Sequence, residues 1–205
     1  MRLNNRFLST RAATFLLAVS LVGSLSAQTQ THPTTNAVGA DWSRVDIKNF
    51  GRINANYYRG AQPKGRDYAN LASLGVKTVI DLQADFEVYN EEQLVRAAGM
   101  QFTRIPMTTR VEPTTEQVDQ FLKLVNDPAA QPVYVHCKGG RHRTGVMTAV
   151  YRMTMDGWNP DQAFREMNDF DFGWDFLHPE FKKYVYAYPR RLLEMAANRV
   201  PANLN

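Results

Sequence analysis

Residues 46–198 predict an α/β domain, a single central and mainly parallel sheet flanked by helices on both faces. Three observations predict it. Short apolar runs of strand length alternate with stretches of helical period, glycine stands directly behind two of the helical stretches (Gly75, Gly99), and the last apolar run passes through a glycine-bearing loop straight into another helix. Once an N-terminal signal is set aside, about 175–180 residues remain, enough for one domain with a full core, and no internal repeat divides them.

The elements follow in order. Residues 50–53 and 57–59 read as two short strands around Asn54-Ala55-Asn56. Residues 64–74 read as a helix, with Gly75 at the position after the helix that favours left-handed backbone. Residues 76–82 form an apolar strand, 83–90 a polar loop, 91–98 a helix closed by Gly99, and 101–105 a third strand of the parallel set. Thr114 and Gln117 have the spacing of a capping box, which opens a helix to about Asn126 with Val118, Phe121, Leu122 and Val125 on one face. Residues 133–136 are the next strand, and 143–156 the central helix ended by Gly157. Asn159-Pro160 is a cap followed by proline in the first helical turn, opening a helix to about Met167. A closing helical region begins at Pro179, is expected to break at Pro189, and resumes through Leu193. Trp158, Phe164, Trp174, Phe176 and Phe181 are expected as core or loop anchors, and His178 and His32 as ordinary surface or capping residues.

The chemistry concentrates in residues 133–145, Val-Tyr-Val-His-Cys-Lys-Gly-Gly-Arg-His-Arg-Thr-Gly. Strand, glycine-rich loop and helix N-terminus in that order make an anion cradle, with backbone N–H groups and the helix dipole both favouring negative charge. Cys137, the only cysteine in the chain, sits at its base, and Arg143 closes its rim. A cysteine thiol titrates near ~8.5, but falls to about 3.5–7.5 beside helix N-termini and cations, and the thiolate is the nucleophile. The Arg143 guanidinium offers a planar fork for two phosphoryl oxygens. His136 can hold the surroundings of the sulfur, and the Thr144 hydroxyl can donate to the thiolate as it departs. Lys138, Gly139, Gly140, Arg141 and His142 fill the cradle and complete the candidate substrate-binding set with Arg143. A lone structural cysteine at a strand end is the bland alternative; His before it, Arg six places on and Thr-Gly behind that weigh against it.

At His136, Cys137, Gly140, Arg143, Thr144 and Gly145 the chain resembles the cysteine-dependent protein tyrosine and dual-specificity phosphatases, whose signature is His-Cys, five residues, then Arg-Ser/Thr. Tyr58-Arg59-Gly60-Ala61-Gln62-Pro63 and the run from Leu74 to Leu82 resemble the opening of the compact dual-specificity enzymes, above all the atypical plant, fungal and bacterial subgroup. The resemblance covers roughly residues 46–191 and implies hydrolysis of phosphate monoesters through a phosphocysteine, without metal or cofactor. It also implies a carboxyl general acid upstream of the cysteine. Residues 105–111 contain no aspartate, so Glu112 is the nearest candidate; Asp85, Asp169 and Asp171 stay open, as does the absence of any dedicated acid. Glu87 shares the loop of Asp85. The basic filling (Lys138, Arg141, His142) points to strongly anionic ligands, so inositol polyphosphates, inositol pyrophosphates and phosphoinositides stand beside phosphotyrosine proteins as substrates. An inactive phosphate-binding module and a thiol enzyme of another kind are the competing classes; the latter would want further cysteines.

No His/Asp/Glu grouping has metal-ligand spacing and no nucleotide-binding glycine motif occurs, so no cofactor is expected. Arg2, Arg6 and Arg11 precede an apolar run over residues 12–25 and small residues at 24–27, which reads as a signal peptide over residues 1–27, with an uncleaved anchor as the alternative. Export, to periplasm or medium, is therefore expected, and residues 28–45 read as a flexible leader. The chain carries +4, but three of its 24 basic residues lie in the first 27 with no acid, so the remainder is near +1 (21 against 20). That balance gives no reason to expect nucleic acid as a partner, nor stable membrane insertion once the signal is removed. A phosphorylated substrate is the expected partner, and the sequence sets no oligomeric state.

Overall fold

The computed structural model describes residues 45–85 and 90–199. The expected signal segment, the expected leader up to residue 44, and Glu87 lie outside them. Strands β1 (Gly51–Asn54), β2 (Tyr57–Ala61), β3 (Thr78–Gln83), β4 (Gln101–Met107) and β5 (Val133–Cys137) form one five-stranded sheet in the order β1-β2-β5-β3-β4. Three of its four pairings are parallel; β1 and β2 form an antiparallel hairpin at one edge. The sequence expectation of a mainly parallel sheet therefore holds.

β5 lies at the centre, buried along its whole length between β2 and β3. Successive side chains on a strand point to opposite faces. Val133, Val135 and Cys137 accordingly join one core, with Ile80, Leu82, Phe121, Met147 and Val150. Tyr134 joins the other, with Tyr58, Leu71, Val79 and Val95. The first core is covered by α3 (Thr115–Val125), α4 (His142–Met155), α5 (Pro160–Asp169) and α6 (Pro179–Arg199), the second by α1 (Asp67–Ser73) and α2 (Glu91–Ala97). Cys137 and His136, adjacent in sequence, thus face opposite sides of the sheet.

The local signals acted as expected in most places. Thr114 and Gln117 form a reciprocal capping box, as do Asn159 and Gln162, and Pro160 opens α5. Gly75 and Gly99 follow α1 and α2. The break expected at Pro189 does not occur: α6 is continuous through it. A proline in a helix costs about 3 kcal/mol or more, but Phe181, Tyr184, Val185 and Tyr188 are buried against the core and hold the helix across the missing hydrogen bond. Trp174 and Phe176 also depart from expectation. They are 72% and 68% exposed, in the connection between α5 and α6, and pack only on each other edge to face among the ring contacts of the described residues. No helix among the described residues is long and apolar enough to cross a membrane.

Candidate active site

Parallel sheets bind ligands beyond the carboxyl ends of their strands, and β5 ends there at Cys137. The chain then makes a tight loop, Lys138 to Arg141, and enters α4 at His142. Gly140 is held at φ +65°, and a Cβ there would lie 2.6 Å from both the amide nitrogen of Ala61 and the carbonyl oxygen of Gly60. Only glycine lets the loop press this closely on β2.

Donors from outside take up three consecutive loop carbonyls. The Gln62 amide donates to Lys138 O (3.4 Å), the Asn49 side-chain amide to Gly139 O (2.8 Å), and Arg59 Nη2 to Gly140 O (2.5 Å). A trans peptide directs its N–H opposite its carbonyl. Tying these carbonyls outward therefore turns the following amides toward the inside of the loop, which makes the anion cradle. Arg59 is completely buried, stacked over the Phe170 ring at 4.0 Å. The sequence had offered Arg59 only as part of a resembling segment; its partner lies 81 residues away.

Cys137 is 3% exposed. Burial alone would raise its pKa. The side chain and backbone N–H of Thr144, then Arg143 and His136, outweigh burial and hold the thiol below its ordinary value. Arg143 is also buried at the cradle rim, where its Nη1 donates to the Met107 carbonyl (3.0 Å) and is ion-paired with Asp85. Its Nε has no hydrogen-bond partner among the described residues. The structure therefore brings Cys137, Arg143, Thr144 and the loop glycines together, while the His136 ring lies on the other face of the sheet beside Glu91 and Asp81.

The remaining expected site residues divide. Glu112 does not reach the cradle: its carboxylate accepts from Arg191 Nη2 of α6 at 2.6 Å, which commits it to tying the β4–α3 connection to the last helix. Asp85 instead is the carboxyl set against Arg143. Asp171 is taken by Arg141 (3.2 Å) and Lys48 (3.8 Å). Nor does the rim carry the full charge expected of it. Arg141 is answered by Asp171, and His142 turns into the α5–α6 connection, where Nε2 meets the Phe172 carbonyl (2.9 Å) and its ring lies 3.7 Å from that of His178. Burial, then His178, lowers His142 to about 4, so it is neutral near pH 7. Lys138 is exposed. His178 is more than a surface residue: its Nδ1 hydrogen-bonds with the Thr109 carbonyl (3.1 Å) and couples two connections above the cradle.

On the opposite face of the sheet Asp81, Glu91 and His136 offer ligand atoms within 4.8 Å of one another, all buried. This grouping escaped the sequence because its members lie on β3, α2 and β5. Three of their four carboxylate oxygens already accept hydrogen bonds, while Glu91 Oε2 and both His136 nitrogens have no hydrogen-bond partner among the described residues. Asp81 accepts from the Gln83 amide (2.9 Å) and Arg104 Nε (2.8 Å), and Glu91 from Gln62 Nε2 (2.5 Å) and the Tyr68 hydroxyl (3.4 Å). Such a set of donors fits an ion-pair network rather than a metal centre.

A cysteine at the end of the central parallel strand, an arginine six places on at the start of the following helix, and a loop of inward amides between them define the protein tyrosine and dual-specificity phosphatase fold. Residues 29–173 match the family described as DSP-PTPase phosphatase fused to NAD+ Kinase, and the chain belongs to that family. It is 30% identical over 125 residues to the dual specificity protein phosphatase TpbA of Pseudomonas aeruginosa, covering 61% of this chain and 56% of that protein. It is 27% identical over 135 residues to the inositol diphosphatase SIW14 of Saccharomyces cerevisiae, covering 62% of this chain and 47% of that one. The chain thus spans about half the length of these two relatives. A crystal structure of TpbA in complex with pTyr superposes with a TM-score of 0.62 at 26% identity, covering 74% of this chain and 91% of that one.

Proposed function

We propose that the protein hydrolyses phosphate monoesters through a phosphocysteine, without metal, and that aryl phosphates of the phosphotyrosine type are its preferred class. The single observation that carries the reaction is the buried Cys137, held toward thiolate inside a loop whose carbonyls are tied outward.

The substrate's phosphoryl oxygens take the loop amides and Arg143. Arg143 would exchange its bond to Asp85 for the phosphoryl group, which leaves that carboxyl free beside the leaving oxygen. Cys137 Sγ attacks phosphorus in line, the P–O bond to the leaving group breaks, and Asp85 supplies the proton that the departing oxygen needs. A water then attacks the phosphocysteine, Asp85 takes its proton, and the S–P bond breaks with its electron pair on sulfur. Thr144 steadies the returning thiolate, and inorganic phosphate leaves.

Two features favour an aryl substrate over inositol polyphosphates. Arg141 of the cradle filling is paired with Asp171 and His142 is neutral near pH 7, which lowers the charge offered to a polyanion. Trp174, Phe176 and Leu177 stand exposed on a segment whose two stems, Phe172 and His178, both pack on His142 at the cradle's edge. They supply an apolar wall for a ring. The phosphotyrosine bound by TpbA supports this reading, and the inositol activity in the name of SIW14 keeps the alternative in view.

The test is a metal-free panel of p-nitrophenyl phosphate, phosphotyrosine peptides and inositol polyphosphates, run with wild type, Cys137→Ser and Lys138→Ala. Cys137→Ser should lose turnover while keeping phosphopeptide binding, and Lys138→Ala should weaken inositol polyphosphates more than phosphopeptides. Unchanged turnover in the serine variant, or turnover that needs added metal, would overturn the mechanism; inositol pyrophosphates as the fastest substrates would overturn the preference.

A further inference from the structure

The imidazole of His136 is clamped between two carboxylates on the face of the sheet away from the nucleophile. Its Nε2 lies 3.1 Å from Glu91 Oε1, and its Nδ1 lies 3.9 Å from Asp81 Oδ1, with all three side chains fully buried. The two carboxylates differ in what else neutralises them. Asp81 has Arg104, whose Nε donates to it at 2.8 Å. Glu91 has, besides His136, the neutral donors Gln62 and Tyr68, and its Oε2 has no hydrogen-bond partner among the described residues. A buried carboxylate needs a cation within reach, and His136 is the cation this geometry gives it.

We propose that Glu91, the first residue of α2, is a positioning residue of the reaction: it fixes His136 as an imidazolium, whose charge one residue before the nucleophile holds Cys137 as thiolate. The inference rests on Cys137 being the nucleophile.

The two groups shift in the directions this pairing requires. Burial would strip the proton from His136, yet Glu91, and after it Asp81 and Cys137, raise its pKa above the ordinary histidine value. Burial would protonate Glu91, yet His136, then Gln62 and Tyr68, bring it below the ordinary carboxyl value. The other charged or titratable groups facing the imidazole are few. Tyr134 of its own strand stacks on it at 5.8 Å, Tyr68 of α1 reaches it through Glu91, and Arg104 of β4 reaches it through Asp81. Gln62 and Gln83 close the network by a side-chain hydrogen bond of 2.5 Å. The charge on His136 is therefore set mainly by Glu91. A residue on the far face of the sheet, 46 positions before the cysteine, thereby tunes the thiol through the strand between them.

The test reads the thiol and the imidazole directly, in the full chain. Nitrogen-15 spectra of histidine-labelled wild type should show both His136 ring nitrogens protonated at pH 7.5; a neutral tautomer there would overturn the inference. Iodoacetamide alkylation of Cys137 in Glu91→Gln should be about tenfold slower than wild type at pH 5.5 and equal to it by pH 9, the pattern of a thiolate population displaced upward by one pH unit. Superimposable profiles would overturn it. If the glutamine variant fails to fold, the wild-type spectrum decides alone. Alkylation does not depend on turnover, so a protein that alkylates as stated yet hydrolyses nothing would sink the phosphatase reading and leave only the charge link from Glu91 through His136 to Cys137 standing.

Discussion

Replacing Gly140 with alanine should damage catalysis far more than its size suggests. The added Cβ would stand 2.6 Å from Ala61 N and Gly60 O, where ordinary contact begins at 3.4 Å. These are backbone atoms of β2, so no rotamer change relieves the overlap. The loop must retreat by about 0.8 Å, carrying its inward amides with it. Displacements near 1 Å in a catalytic constellation cost up to about 10²-fold in rate, so kcat should fall roughly 30- to 100-fold on p-nitrophenyl phosphate. Left-handed backbone at alanine adds ~1 kcal/mol and the overlap about 1–3 more. A melting-temperature loss of roughly 5–15 °C should therefore accompany it. Gly139→Ala is the control, since its Cβ would meet only the Arg141 side chain, at 3.3 Å, which can swing aside. It should keep most of the wild-type rate. If Gly140→Ala turns over at more than a third of the wild-type rate, or if the two variants are indistinguishable, the close approach to β2 does not shape the cradle.

Two further outcomes are expected. Asp85→Asn should slow alkyl phosphates at least tenfold more than p-nitrophenyl phosphate, whose leaving group needs no proton, while Glu112→Gln should affect both alike and only slightly; the opposite ranking in steady-state kinetics would return the acid's role to Glu112. Arg152 binds Glu166 through Nε (3.1 Å) and Nη2 (2.6 Å), binds Asp156 at 2.8 Å and covers the Trp158 ring, tying α4 to α5. Arg152→Met should lower unfolding free energy by about 2–4 kcal/mol, since it strands a largely buried carboxylate, with kcat/KM at 25 °C unchanged; a loss below ~1 kcal/mol by urea titration would refute the clamp.

What the sequence disclosed and what it withheld divide by distance along the chain. The cradle was legible because strand, cysteine, glycines and arginine are contiguous, and the capping box at Thr114 because its two members are three residues apart. Glu112 was favoured as the acid by nearness in sequence, yet its fate was set by Arg191, 79 residues on, while Asp85 reaches Arg143 across 58. Nothing local encodes such pairs; they exist only once the strand order is known. The same holds for Arg59 with Gly140 and for Glu91 with His136. At Pro189 a sound local rule lost to tertiary packing. Trp174 and Phe176 show the converse failure, because size and hydropathy say what a side chain would gain by burial and not whether the chain path allows it.

The segment Gly173–Leu177 is hung like a detachable visor. Its hinges, Phe172 and His178, are anchored on the same imidazole, whereas the phosphoryl seat is locked by Asn49, Arg59 and Gln62 from the other side. The two sets of anchors share no residue. On the proposed reading, replacing Trp174 and Phe176 should therefore change the choice among aryl substrates more than the reactivity of Cys137.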